Sequence, residues 1–150
     1  MIEKVLVAVD GSAHSLKAVE YAAEIAGACR AKLSILTVLK PQKVPKVSEE
    51  LRKYAQLEHI DNADYEAIKL LSSDLLSHAA DVAKKHGATE VETAVETGPV
   101  ARTIVNTAVK KKVSMIVIGS RGLGNIEATL RGGVSHRVEL LASCPVLTVK

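Results

Sequence analysis

The sequence has no tryptophan and no phenylalanine, and only three tyrosines. Aliphatic side chains, Val, Ile, Leu and Ala, must therefore build its core. The same shortage removes the base-stacking platform of a single-strand nucleic-acid binder. A formal net charge of +3 over 150 residues is too mild for a polyanion-binding surface, so no nucleic-acid partner is expected. Cysteine is scarce: Cys29 and Cys144 lie far apart and form no CxxC pair. They are expected to be two small buried hydrophobes. No His/Cys/Asp cluster has metal-ligand spacing. No apolar run approaches the roughly 18 residues of a membrane span. The amino terminus MIEKVLVAVDGS has no basic n-region followed by a long apolar h-region. The expectation is a cytoplasmic protein with no membrane partner.

What is present alternates. KVLVAV (Lys4 to Val9), KLSILTV (Lys32 to Val38), EVETAVETG (Glu90 to Gly98), SMIVIGS (Ser114 to Ser120) and the final PVLTV read as five strands. The most apolar of them have the composition of strands covered on both faces. Between them lie helical patterns. Ser12 is an N-cap candidate for a helix whose Leu16, Val19, Ala22, Ala23 and Ala26 share a face. A second helix is predicted from Ala63 to His86 with Ala67, Leu70, Leu71, Leu75, Ala79, Val82 and Ala83 inward, stopped by Gly87 as C′ residue. Pro99 opens a third, which ends in lysines suited to the helix dipole. GVSHRVELLAS is a short fourth. Residues 40–62, with two prolines and mixed charges, read as a loop with a short helix near Glu49 to Leu57. The lysine runs KKHG and VKKKV read as solvated helix ends. This alternation is the signature of an α/β fold, a parallel sheet covered on both faces within a single domain.

In such sheets ligands bind beyond the carboxyl ends of the strands. Two candidate sites fall there: DGS after the first strand and the glycine-rich IGSRGLGNIEATLRGGVSHRV, Ile118 to Val138. Gly119 and Gly122 are followed, after nine intervening residues, by Gly132 and Gly133. Backbone without Cβ approaches a bulky anion closely. Its N–H groups and the start of the following helix bind phosphate oxygens, and Ser135 and Ser120 add hydroxyl donors. A flexible strand-to-helix connection is the alternative reading. The spacing fits neither the P-loop, which needs GK[ST], nor the Rossmann GxGxxG, which follows the first strand.

The stretches VLVAVDGSAHSLKAVEYAAEIA, VETGPVARTIV and IVIGSRGLGNIEATLRGGVSHRVELLASCPVLTV resemble the universal stress protein family over nearly the whole chain, least over residues 40–62. The resemblance implies one such domain over residues 1–150: a three-layer α/β/α fold with a five-stranded parallel sheet of order 3-2-1-4-5, like the adenine-nucleotide α-hydrolases. It implies ATP binding through a G-2x-G-9x-G-(S/T) pattern. Gly119, Gly122 and Gly132 match that pattern, and Gly133 replaces its Ser or Thr. That departure removes one hydrogen bond, worth about 0.5–1.5 kcal/mol net, and leaves ATP, ADP and AMP all open.

By the same resemblance Asp10 contacts ribose or a Mg²⁺ bridging the phosphates, although Asp10-Gly11 is also a common turn. Ala8 and Val9 lie beside the base, and the backbone at Val38 reads the adenine edge. Ile118, Val134 and Ser135 complete the set. Arg121 is either a phosphate partner or an exposed surface arginine. A homodimer through the edge strand Val146 to Val149 is also implied, and an apolar edge invites such pairing. His14 and His136 lie near the supposed site, and neither has a Ser or Cys partner at a recognisable spacing. Three functions stay open: a dimeric nucleotide-dependent sensor or switch of stress physiology, a non-nucleotide interaction module, and an enzyme, at most a slow ATP hydrolase.

Overall fold

The computed structural model describes residues 1–41, 50, 53, 63–121 and 133–150. In chain order its elements are β1 (Lys4–Ala8), α1 (Ala13–Cys29), β2 (Lys32–Leu39), α2 (Ala63–Lys85), β3 (Val91–Thr97), α3 (Val100–Lys111), β4 (Met115–Gly119), α4 (Val134–Leu141) and β5 (Val146–Val149). The strands form one sheet in the order β3-β2-β1-β4-β5, parallel at every pairing. This is the predicted order. The short helix expected near Glu49 to Leu57 lies outside the described residues but for 50 and 53.

Central β1 explains why the strands read as continuous apolar runs. Val5 and Val7 point to one side, Leu6 and Ala8 to the other, and all four are buried. The first side meets α1 and α2, where Ala18, Ala22, Ala23 and Ala26 of α1 and Ala79 and Ala83 of α2 join the same core. The second side meets α3 and α4 through Ala101, Ile104, Ala108 and Val138. Both faces are thus capped, as a parallel sheet requires. The alanine stripe lets α1 approach its sheet closely, without bulky side chains between.

Three sequence expectations are corrected. Along α2 the buried stripe is Ser72, Leu76, Ala79 and Ala83, with Leu75 and Val82 half-buried. Leu70 and Leu71 are 65% and 67% exposed, and Ala67 is exposed as well. At about 100° per residue, Leu71 stands a quarter-turn off the Ser72 stripe and Leu70 more than half a turn. Ser72 passes for a polar position in sequence, yet its hydroxyl donates to the Ile68 carbonyl at 2.8 Å and so needs no water. Cys29, the last residue of α1, is exposed, and Cys144 is half-buried; both are free thiols. Burial pushes the Cys144 thiol up. Lys111 is not merely a solvated helix end, because its Nζ lies 2.6 Å from Glu92 Oε1.

Candidate functional site

The order β3-β2-β1-β4-β5 reverses direction between β1 and β4, the point at which, in open parallel sheets, a ligand crevice lies beyond the carboxyl ends of the strands. The chain leaves β1 through Val9 and Asp10. Val9 continues the ladder, its N–H donating to the Leu36 carbonyl at 2.8 Å, while its own carbonyl accepts from Thr37 Oγ1 at 2.9 Å. Asp10 turns the chain: its Oδ1 accepts from the Ser12 N–H at 2.9 Å, and its N–H donates to Ser15 Oγ at 3.3 Å. Gly11 sits at φ +87°, a conformation that side chains disfavour. The turn reading of Asp10-Gly11 is therefore realised. Ser12 caps α1, its Oγ accepting from the Ser15 N–H at 3.2 Å.

The end of β4 is fastened to this turn. A Cβ on Gly119 would lie 2.8 Å from the His14 carbonyl carbon and 2.9 Å from the Ser15 nitrogen. Only glycine lets the first turn of α1 come this close to β4. The Ser120 N–H donates to the Val149 carbonyl at 2.7 Å. One residue on, the Arg121 carbonyl accepts from Ser12 Oγ at 3.2 Å, with the arginine side chain exposed. His14 Nδ1 and Ser120 Oγ lie 3.0 Å apart. Sequence spacing gave His14 no serine partner; the fold supplies one, 106 positions away.

The nonpolar part of the predicted set divides by face. Ala8, Ile118 and Val38 belong to the α3/α4 side of the sheet, the first two buried and Val38 half-buried. Val9 is buried on the opposite side with α1 and α2. The helix α4 covers the Ala8 side through Val138 and begins after Gly133, whose φ and ψ are −57° and 173°. Its N-cap, Gly133, has no side chain to cap it, and the start of any helix presents N–H groups and the positive end of its dipole to an acceptor. Val134 is exposed and Ser135 half-buried. Gly122 and Gly132 lie outside the described residues.

Among the described residues no group of three or more His, Cys, Asp or Glu side chains is placed to hold a metal ion. Asp10, an exposed carboxylate at the rim, suits a magnesium ion that arrives with phosphates, because Mg²⁺ is commonly held by one or two carboxylates plus substrate oxygens.

A strongly perturbed carboxylate lies elsewhere. Hydrogen bonds from Lys111, Ser34 and Lys32 hold Glu92 at a pKa of about 2, and Glu92 in turn raises Lys32. Glu92 sits near the start of β3, beside Ser34 of β2. This ion network ties α3 to the sheet at the amino-terminal end of the strands, away from the crevice.

Comparison with known proteins agrees with the architecture. The sequence profile described as the universal stress protein family matches residues 1–150. The chain is 38% identical to universal stress protein YxiE of Bacillus subtilis over 150 residues, covering all of both chains. It is 32% identical to a universal stress protein solved in complex with cAMP, with a TM-score of 0.71 over 99% of this chain and 97% of that one. It shares its fold with the universal stress protein of Archaeoglobus fulgidus in complex with dAMP, at 24% identity and a TM-score of 0.63, covering 100% of this chain and 98% of that one.

Proposed function

The chain belongs to the universal stress protein family, and from that membership we propose that it binds an adenine nucleotide at the crevice between β1 and β4. ATP is the first candidate, with ADP and AMP as alternatives. The observation that carries this reading is the pairing of an aliphatic floor with a polar rim. Ala8, Val38 and Ile118 share one face of the sheet and suit a flat apolar base. Past the ends of β1 and β4 come the hydroxyls of Ser12 and Ser120 and the exposed Arg121, and α4 starts at Gly133; hydroxyls, a guanidinium and a helix start suit phosphate oxygens. The relative 32% identical to this chain was solved with cAMP, an adenine nucleotide. Ala8, Val38 and the Val9 backbone lie beside the base, Gly119, Gly122, Gly132, Gly133, Val134 and Ser135 hold the phosphates, and Asp10 takes ribose or a nucleotide-borne Mg²⁺.

The same reading makes the protein a nucleotide-dependent sensor or switch in stress physiology. It also places a second copy on β5. That strand lies at the sheet edge, paired on one side with β4, and Val146, Leu147 and Thr148 are half-buried. Antiparallel pairing across a two-fold axis would cover the edge. A monomeric mass at micromolar concentration would remove this part of the reading.

Gly133 favours one other reading, a non-nucleotide interaction module, because α4 lacks the side-chain cap that Ser or Thr would supply. Calorimetric titration of the nucleotide-stripped protein with ATP, ADP, AMP and GTP, each with Mg²⁺, separates the two. Saturable heat with adenine nucleotides, and weaker or none with GTP, supports the nucleotide site. No heat and no thermal shift with any of them supports the module.

A further inference from the structure

The geometry points to a second binding site, for a small apolar monocarboxylate, at the end of the sheet opposite the proposed nucleotide crevice. A pocket of about 190 Å³ lies there between α3, the start of β4 and the connection from α4 to β5. It shares no residue with the crevice, so either site can exist without the other.

Three parts of the chain wall the pocket. Val105, Ala108, Val109 and Lys112 recur at the i, i+3, i+4, i+7 spacing that puts side chains on one face of α3 and its C-cap. Val113 and Ile116 follow as the chain enters β4. Ala108 and Ile116 are buried in the core on the α3/α4 side of the sheet and make the inner surface. Ala142, the C-cap of α4, and Cys144 are half-buried against that same core. Val109, Lys112 and Ser143 are exposed and stand at the open side. Protein interiors leave few voids larger than a water molecule. Here two helix ends meet a connection furnished with short side chains, in a sequence that has no Phe or Trp to fill the gap.

Size selects the body of the ligand and charge selects its head. An apolar cavity of about 150 Å³ takes benzene, so this one admits an apolar body of roughly six to eight carbon atoms. Burial pushes the Cys144 thiol up, so at neutral pH it stays uncharged and adds to the apolar wall. At the open side, neither the Lys112 ammonium nor the Ser143 hydroxyl makes a hydrogen bond or ion pair with a described residue. Lys111, one position earlier, is by contrast committed to Glu92 at 2.6 Å. An unpaired ammonium beside a hydroxyl holds one carboxylate. A phosphate ester fits less well. Both α3 and α4 end beside the pocket, with Lys112 and Ala142 as their C-caps, and helix carboxyl ends disfavour a second negative charge.

The two free cysteines make the test possible in the wild-type protein. Cys144 lines the pocket, while Cys29 is exposed at the end of α1. Alkylation of each by N-ethylmaleimide is followed by peptide mass spectrometry at rising hexanoate. The expected result is a saturable, several-fold slowing at Cys144 with Cys29 unchanged. Saturable methyl NMR shifts at Val105, Val113 and Ile116 give a second reading that needs no thiol chemistry. Lys112→Gln, at an unchanged melting temperature, weakens hexanoate binding about tenfold, in line with the loss of a hydrogen bond to a charged group. Hexanol, which has the same chain and no charge, binds the wild type more weakly than hexanoate does and binds Lys112→Gln as it binds the wild type. Hexyl phosphate binds more weakly than hexanoate. No protection of Cys144 and no methyl shifts with hexanoate would overturn the site. Equal slowing at both cysteines without methyl shifts would do the same. Equal hexanoate affinity in Lys112→Gln and wild type, or tighter binding of hexyl phosphate, would overturn the assignment of a monocarboxylate.

Discussion

Gly119 and His14 touch through their backbones: a Cβ on the glycine would stand 2.8 Å from the histidine carbonyl carbon and 2.9 Å from its oxygen. This contact fixes the end of β4 against the first turn of α1. It also gives the first glycine of the proposed cradle a packing reason independent of any ligand. Gly119→Ala must displace helix backbone rather than a flexible side chain. The expected cost is about 1–3 kcal/mol, read as a lower denaturant midpoint at unchanged slope. A midpoint equal to wild type would show that α1 yields freely.

Ser12 works twice, as N-cap of α1 and as donor to the Arg121 carbonyl at 3.2 Å. Ser12→Ala is expected to destabilise the fold by about 1–2 kcal/mol, measured by urea unfolding. It also releases the backbone at Arg121, so nucleotide affinity falls further than global stability alone would dictate. Ser12→Asp keeps a cap acceptor but loses the donor. It should restore much of the stability and little of the affinity.

Arg121 is an exposed cation just past β4. If it pairs with phosphate, Arg121→Ala weakens ATP binding about tenfold or more, in line with the roughly 1.5–3 kcal/mol of a hydrogen bond to a charged group. Adenosine binding stays unchanged, and the ATP deficit shrinks at high salt. Equal affinity of variant and wild type for ATP would make Arg121 an ordinary surface residue.

Glu92 makes stability depend on pH at the opposite end of the sheet. Its folded pKa, about 2, lies below the ordinary 4.5 because Lys111, Ser34 and Lys32 donate to the carboxylate. A depressed carboxylate stabilises the fold above its unfolded pKa and loses that contribution as pH falls from about 4.5 toward 2. With its side chain 33% exposed, solvent screening leaves this contribution at about 1 kcal/mol. Unfolding curves of wild type and Glu92→Gln at pH 7, 4 and 3 should converge as pH drops. Parallel curves would remove Glu92 from the account.

The α/β alternation was legible because strands such as β1 and β4 carry uninterrupted aliphatic runs and each ends in a turn signal, DGS and GSRG; the sheet order came only from the resemblance to the universal stress protein family. The inward face of α2 was misread because Leu70 and Leu71 outweigh Ser72 in any hydrophobic pattern, although Ser72 satisfies itself against Ile68. The His14–Ser120 pair was not legible from spacing, since the two residues are 106 positions apart. A signal existed nonetheless. Both follow strands that the order 3-2-1-4-5 makes neighbours, so whatever follows β1 and β4 must meet. Ser12 as a bridge to Arg121 had no signal beyond its role as a cap. The Glu92 network was hidden for another reason: lysines at a helix end look solvated until a tertiary carboxylate is placed beside them.

The central claim is that an adenine nucleotide occupies the crevice where β1 and β4 part. Amide chemical shifts, followed by NMR as ATP and Mg²⁺ are added, test it most directly. The account predicts saturable shifts concentrated at Val9 to Gly11, Val38, Gly119 to Arg121 and Gly133 to Ser135. Shifts confined to other surfaces, or none at millimolar ATP, would contradict it.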